Sequence, residues 1–124
     1  MKDLVSELIK VREHLSDRKR WETNWVNNKV TGYTSGSLGG TLAGLWDSKD
    51  NSCYVAAHHC VVMAIKQLFG SLKMSCNITF LNEGNPVPDS HFALIRAFEE
   101  RQYHSDVMKV LDLAIRYARV YSFS

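Results

Sequence analysis

Residues 52–70 read SCYVAAHHCVVMAIKQLFG. From Cys53 to Phe69 only His58, His59, Lys66 and Gln67 interrupt an otherwise apolar run. As a helix this run is ~25 Å long at 1.5 Å per residue. A helix apolar on nearly every side has to be surrounded by protein or lipid. With two internal histidines it is a poor bilayer span, which needs about 20 clean apolar residues. The run therefore predicts the central helix of a small domain, with Ser52 as its cap and Gly70 as its stop.

Working outward, residues 3–18 place Leu4, Leu8, Val11 and Leu15 at spacings of 4, 3 and 4, one helical stripe. Lys10, Glu13, Asp17 and Arg18 form the wet side. Toward the other end, Asp89 or Ser90 can cap a helix running to about Arg101, with Phe92, Ile95, Ala97 and Phe98 facing the core. Ser105 can cap the last helix. There Val107, Val110, Leu111, Ala114, Ile115 and Ala118 make the cleanest amphipathic pattern of the chain. The fold expected is mainly α: four helices around the central one.

Between the first two helices, residues 20–52 lose regular periodicity. This stretch holds all three tryptophans and most of the glycines. Residues 29–34 and 41–46 can pair as a hairpin across 35–40; otherwise the stretch is a loop of unusual length, which tends to be functional. Residues 77–81 (NITFL) can be extended, so an α+β variant of the fold stays open. Residues 82–89 are a loop by composition.

At 124 residues the chain is expected to be a single domain. The net charge of +2 is too small to imply nucleic acid by itself. Three cysteines, Cys53, Cys60 and Cys76, form no CxxC pair, and free thiols fit a reducing compartment. Acids from residue 3 onward and the lack of an apolar h-region argue against a secretory signal. The expectation is a cytoplasmic protein with no membrane attachment.

No constellation carries strong chemistry. His58 and His59 diverge by about 100° on a helix, and Cys53 and Cys60 are ~10 Å apart along the axis, so one tetrahedral metal is not expected. Cys60 beside His59 suggests an activated thiolate, but adjacent helical residues do not face each other. The tract SGSLGGT, residues 35–41, suggests a backbone anion cradle, yet neither phosphate-loop glycine signature is present. A loop or hairpin tip is the simpler reading. Arg18-Lys19-Arg20 followed by Trp21 and Trp25 suggests a basic and aromatic nucleic-acid patch, but it reads better as a helix end with tryptophans anchoring the loop. On the last helix Arg116 and Arg119 flank Tyr117, residue types that suit an anionic nucleotide or a protein interface. Glu99 and Glu100 lie near Arg96 and Arg101 and suggest no carboxylate chemistry.

Several pieces resemble an uncharacterised family of small bacterial and phage domains. They are Trp21 or Trp25, then Cys53-Tyr54-Val55-Ala56-Ala57, then Phe80-Leu81-Asn82-Glu83, then Asp106-Val107 continuing through Leu111, Ala114 and Ile115. Glu83 stands where that family has Asp, and the interval to Asp106 is longer than the family's. The resemblance implies a helical fold and a bacterial or phage origin; it supplies no activity.

The functional expectation is a small non-enzymatic binding protein with no cofactor, a phage-type anti-defence inhibitor that sequesters a host protein. Its anchors would be Trp21, Trp25, Tyr33, Leu38 and Trp46. The alternative is an oligomeric sponge for a small anionic ligand, built from Arg116, Arg119, Tyr117 and the backbone of residues 35–41. Because the central helix is so apolar, a second subunit, most simply a dimer, is expected to help cover it.

Overall fold

The structure, a computed structural model, describes residues 3–18, 21, 37–70, 72, 86–101 and 103–122. Among the described residues five helices are delimited: α1 (Leu4–Leu15), α2 (Leu38–Ala43), α3 (Ser52–Phe69), α4 (Asp89–Glu99) and α5 (His104–Ser122). No strand occurs among the described residues. The mainly α class is as expected; the fifth helix, α2, is the addition.

The stripe on α1 buries Leu8, Val11 and Leu15. Its start is fixed by Asp3, whose carboxylate accepts from the Ser6 hydroxyl (2.7 Å) and the Ser6 N–H (3.2 Å). Those bonds hold the Asp3 carboxyl below its ordinary value, the hydroxyl bond most of all. At the other end the Ser16 hydroxyl donates to the Glu13 carbonyl (2.6 Å). All six stripe residues of α5, from Val107 to Ala118, are buried. Full burial of each larger aliphatic side chain contributes about 1.5–3 kcal/mol relative to exposure.

α3 is central and packs against all four other helices, most extensively against α5. α5 also packs along α1 in the opposite direction: Arg12 pairs with Asp112, and the His104 Nε2–H donates to the Leu15 carbonyl at 2.6 Å. α4 follows the direction of α3, so His58 meets Phe92 and Phe69 meets Phe98. α5 starts where α3 and α4 end. There the Arg101 guanidinium lies over the Phe69 ring and reaches Asp106.

The exposed positions of α3 are Ser52, His59, Lys66, Gln67 and Leu68. The other four helices pack against its remaining sides. No helix among the described residues is long and apolar enough to cross a membrane.

Helix ends differ in detail from expectation. The cap position of α3 is Asn51, with Ser52 as first helical residue, and α4 follows Pro88; neither end has a side-chain cap bond. α5 starts at His104, one residue before the expected cap. Gly70 ends α3 as expected, at φ +67°. The expected hairpin is not formed as drawn: its second strand, residues 41–46, begins inside α2 and continues as a turn. Its first strand, residues 29–34, and the extended segment at 77–81 lie outside the described residues.

Candidate functional site

α2 forms because Ser37 caps it. The Ser37 hydroxyl accepts from the Gly40 N–H (2.9 Å), and its carbonyl accepts from the Thr41 N–H (2.9 Å). Such a helix start leaves backbone N–H groups in need of acceptors. Here the acceptor is Glu99, the last residue of α4. The Leu38 N–H donates to Glu99 Oε2 (2.7 Å) and the Gly39 N–H to Oε1 (3.0 Å). The Trp21 indole Nε1–H also donates to Oε2, at 3.3 Å.

Glu99 is only 3% exposed. Burial pushes its carboxyl up to about 7, while the Gly39, Leu38 and Trp21 donors pull the other way. The glycine tract is thus an anion cradle after all, but the anion is the chain's own carboxylate. A loop or hairpin tip is the wrong description of residues 38–41.

A second group of aromatic rings runs from the surface to the core. Trp46, 45% exposed, meets the Tyr54 ring edge-on at 5.3 Å between centroids. Tyr54 meets His58 at 4.7 Å, and His58 meets Phe92 at 5.0 Å, both edge-on. His58 is fully buried, and neither Nδ1 nor Nε2 has a hydrogen-bond partner. Burial, helped by nearby His91, pushes its imidazole down to about 4, so the ring is neutral at ordinary pH. The ring is held in place by its edge-on contacts with Tyr54 and Phe92.

The sequence-predicted anchors separate into two sets. Trp21 (1% exposed) and Leu38 (0%) are core residues, which corrects their reading as surface anchors. The burial of Trp21 also removes it as a stacking platform for bases. Trp46 is on the surface. Trp25 and Tyr33 lie outside the described residues. Arg116 and Arg119 are exposed on α5, and Tyr117 packs partly against the core.

Among the described residues the groups expected to form an anionic-ligand pocket are not brought together. The Leu38, Gly39 and Gly40 N–H groups are all occupied. Arg116 lies ~18 Å along α5 from His104, which contacts Trp21 beside the cradle (ring centroids 5.8 Å apart). Arg101 is engaged with Phe69, Tyr103 and Asp106, and Arg96 with Glu100.

Other chemistry is limited. Cys60 is fully buried, and burial pushes its thiol up to about 11, the opposite of an activated nucleophile. His59 and His91 lie 6.3 Å apart between ring centroids, and burial lowers His91, with Lys66 and His59 adding to it. Among the described residues no three His, Cys, Asp or Glu side chains are placed to hold a metal ion.

No family model, no curated protein and no solved structure matches the chain.

Proposed function

We propose that this chain is a small binding protein that acts by contact, with Trp46 as its anchor. The observation that carries the reading is the setting of Trp46. Nearly half of the residue is open to solvent, while its inner side rests edge-on against buried Tyr54. Tryptophan offers a large apolar area with few rotatable bonds, and tryptophan dominates interface hot spots. An indole already fixed on the core loses little freedom on binding.

The finer reading is an inhibitor of phage type that sequesters a host protein in the bacterial cytoplasm. Its support is the resemblance of the Trp, Cys-Tyr-Val-Ala-Ala and Asp-Val segments to small bacterial and phage domains.

The test compares wild type with Trp46→Ala as immobilised baits for a bacterial lysate. A protein retained by wild type and lost from a folded Trp46→Ala chain supports the proposal. Equal retention by both chains, or no retention by either, overturns the role of Trp46. Thermal unfolding of both baits establishes that the variant is folded.

A further inference from the structure

We propose that His59 and His91 form a two-histidine site for a divalent first-row transition-metal ion, bridging α3 and α4 at the protein surface. The site arises from the way the two helices pair. Consecutive side chains on a helix point about 100° apart, so burial of His58 in the core turns His59 outward. α4 runs beside α3 in the same direction. Its first turn sets His91 opposite His59, with the ring centroids 6.3 Å apart and the ring planes tilted by 37°.

That spacing is close to what one shared ion needs. A ligating imidazole nitrogen lies about 2.0–2.1 Å from a zinc ion, so two rings on one tetrahedral ion have centroids about 5 Å apart. The remaining approach of about 1 Å is within reach of a side-chain rotation of His59, which is exposed. Water completes the coordination sphere on the solvent side. Imidazole suits copper, nickel and zinc, whereas magnesium and calcium take oxygen ligands.

The charges around the pair set its strength. Ligation requires the neutral ring. Burial, then Lys66 and His59, hold His91 toward that form. Lys66 repels an incoming cation, but it is exposed and screened by salt. Asp89, in the same turn as His91, counters the positive start of α4. His58 also neighbours His91 but stays in the core between Tyr54 and Phe92. The protein therefore supplies two ligands, one from each helix.

The test is calorimetric titration of the whole chain, free of added histidines, with nickel(II) chloride at pH 7.5. Wild type, His59→Ala and His91→Ala are compared, with magnesium chloride as the control ion. Wild type should take up one nickel ion per chain and no magnesium. Loss of a residue that only orients a metal ligand costs about 10–100-fold in affinity, so loss of either ligand should cost at least as much. Absence of saturable nickel uptake by wild type overturns the site. So does uptake that survives either substitution, which would place the ion at another histidine such as His14 or His104. Thermal unfolding establishes that the variants are folded. Should His91→Ala not fold, histidine ring NMR of wild type during a zinc(II) titration decides. The His59 and His91 ring signals must move together and ahead of those of His14 and His104; movement of only one of the pair overturns the proposal.

Discussion

The Trp21 indole donates a hydrogen bond to the Glu99 carboxylate, joining positions 78 residues apart in the chain. The bond makes Trp21 part of the core by packing and by polarity together. Trp46, by contrast, has one side in water. Trp21→Ala should cost about 3–5 kcal/mol, from the cavity it leaves. Trp21→Phe should cost less, about 1–3 kcal/mol, because the chief loss is one donor to a buried carboxylate. Trp46→Ala should stay within about 1 kcal/mol of wild type. Urea unfolding of the three variants measures the order directly. A Trp46→Ala chain as unstable as Trp21→Ala would make Trp46 a core residue and remove the proposed anchor.

The helical frame was legible in the sequence because each long helix carries its own pattern. The six stripe positions of α5 are all buried, as are Leu8, Val11 and Leu15 of α1. The site was less legible. α2 is only six residues, LGGTLA, with two glycines. No helical periodicity shows in so short a run, and glycine is a poor helix former. Its formation depends on Ser37 and on a carboxylate distant in sequence. Glu99 itself left one readable signal: Phe92, Ile95 and Glu99 are spaced 3 and 4, so the acid lies on the same stripe as core residues. Beside Arg96 and Arg101, however, it suggested no carboxylate chemistry. Tertiary contact, which no local pattern carries, set its role.

His58 and Glu99 bury titratable groups with opposite consequences for stability. Above about pH 6.5 His58 is neutral in both folded and unfolded chains. Between 6.5 and about 4 the unfolded chain takes up a proton that the folded chain refuses, so stability falls as pH drops through that window. Glu99 acts the other way. Between 4.5 and about 7 the folded chain keeps a proton that the unfolded chain releases, so stability falls as pH rises. In wild type the two slopes oppose each other between about pH 4.5 and 6.5. His58→Leu should weaken the fall with dropping pH, to which the lowered His91 also contributes, and Glu99→Gln should remove the fall with rising pH. His58→Leu should also gain about 1 kcal/mol near pH 7, since two unpaired ring nitrogens leave the core. Urea midpoints from pH 4.5 to 8 check this; two variants with the slope of wild type would refute it.

Cys60 sits on α3 with no exposed surface, and burial raises its thiol to about 11. At pH 8 very little thiolate is present, and a reagent has no path to it. Iodoacetamide should therefore leave Cys60 unmodified in the native chain and label it in denaturant, as read by peptide mass mapping. Rapid native labelling of Cys60 would contradict its burial and restore the thiolate reading of the His59-Cys60 pair.

Two glycines should respond to alanine with opposite signs. Gly39 is inside α2, and an added Cβ would meet Glu99 Oε1 at 3.7 Å and Ile95 Cγ2 at 3.8 Å, ordinary contacts. Alanine there keeps the N–H that Glu99 accepts and improves helix propensity, so Gly39→Ala should stabilise by about 0.5–1 kcal/mol. Gly70 ends α3 at φ +67°, with its N–H donating to the Lys66 carbonyl (2.9 Å). No atom stands within 4 Å of an added Cβ, so any cost is in the backbone alone. With ψ −147° this is a backbone region essentially reserved for glycine, and an L side chain there costs about 1–3 kcal/mol. Gly70→Ala should lower the Tm by several degrees while Gly39→Ala raises it. Because the two glycines do not touch, the double variant should show the sum of the two effects. A Gly39→Ala chain that melts lower than wild type would mean that α2 does not tolerate the closer approach of Glu99, and the cradle would then be tighter than its distances indicate.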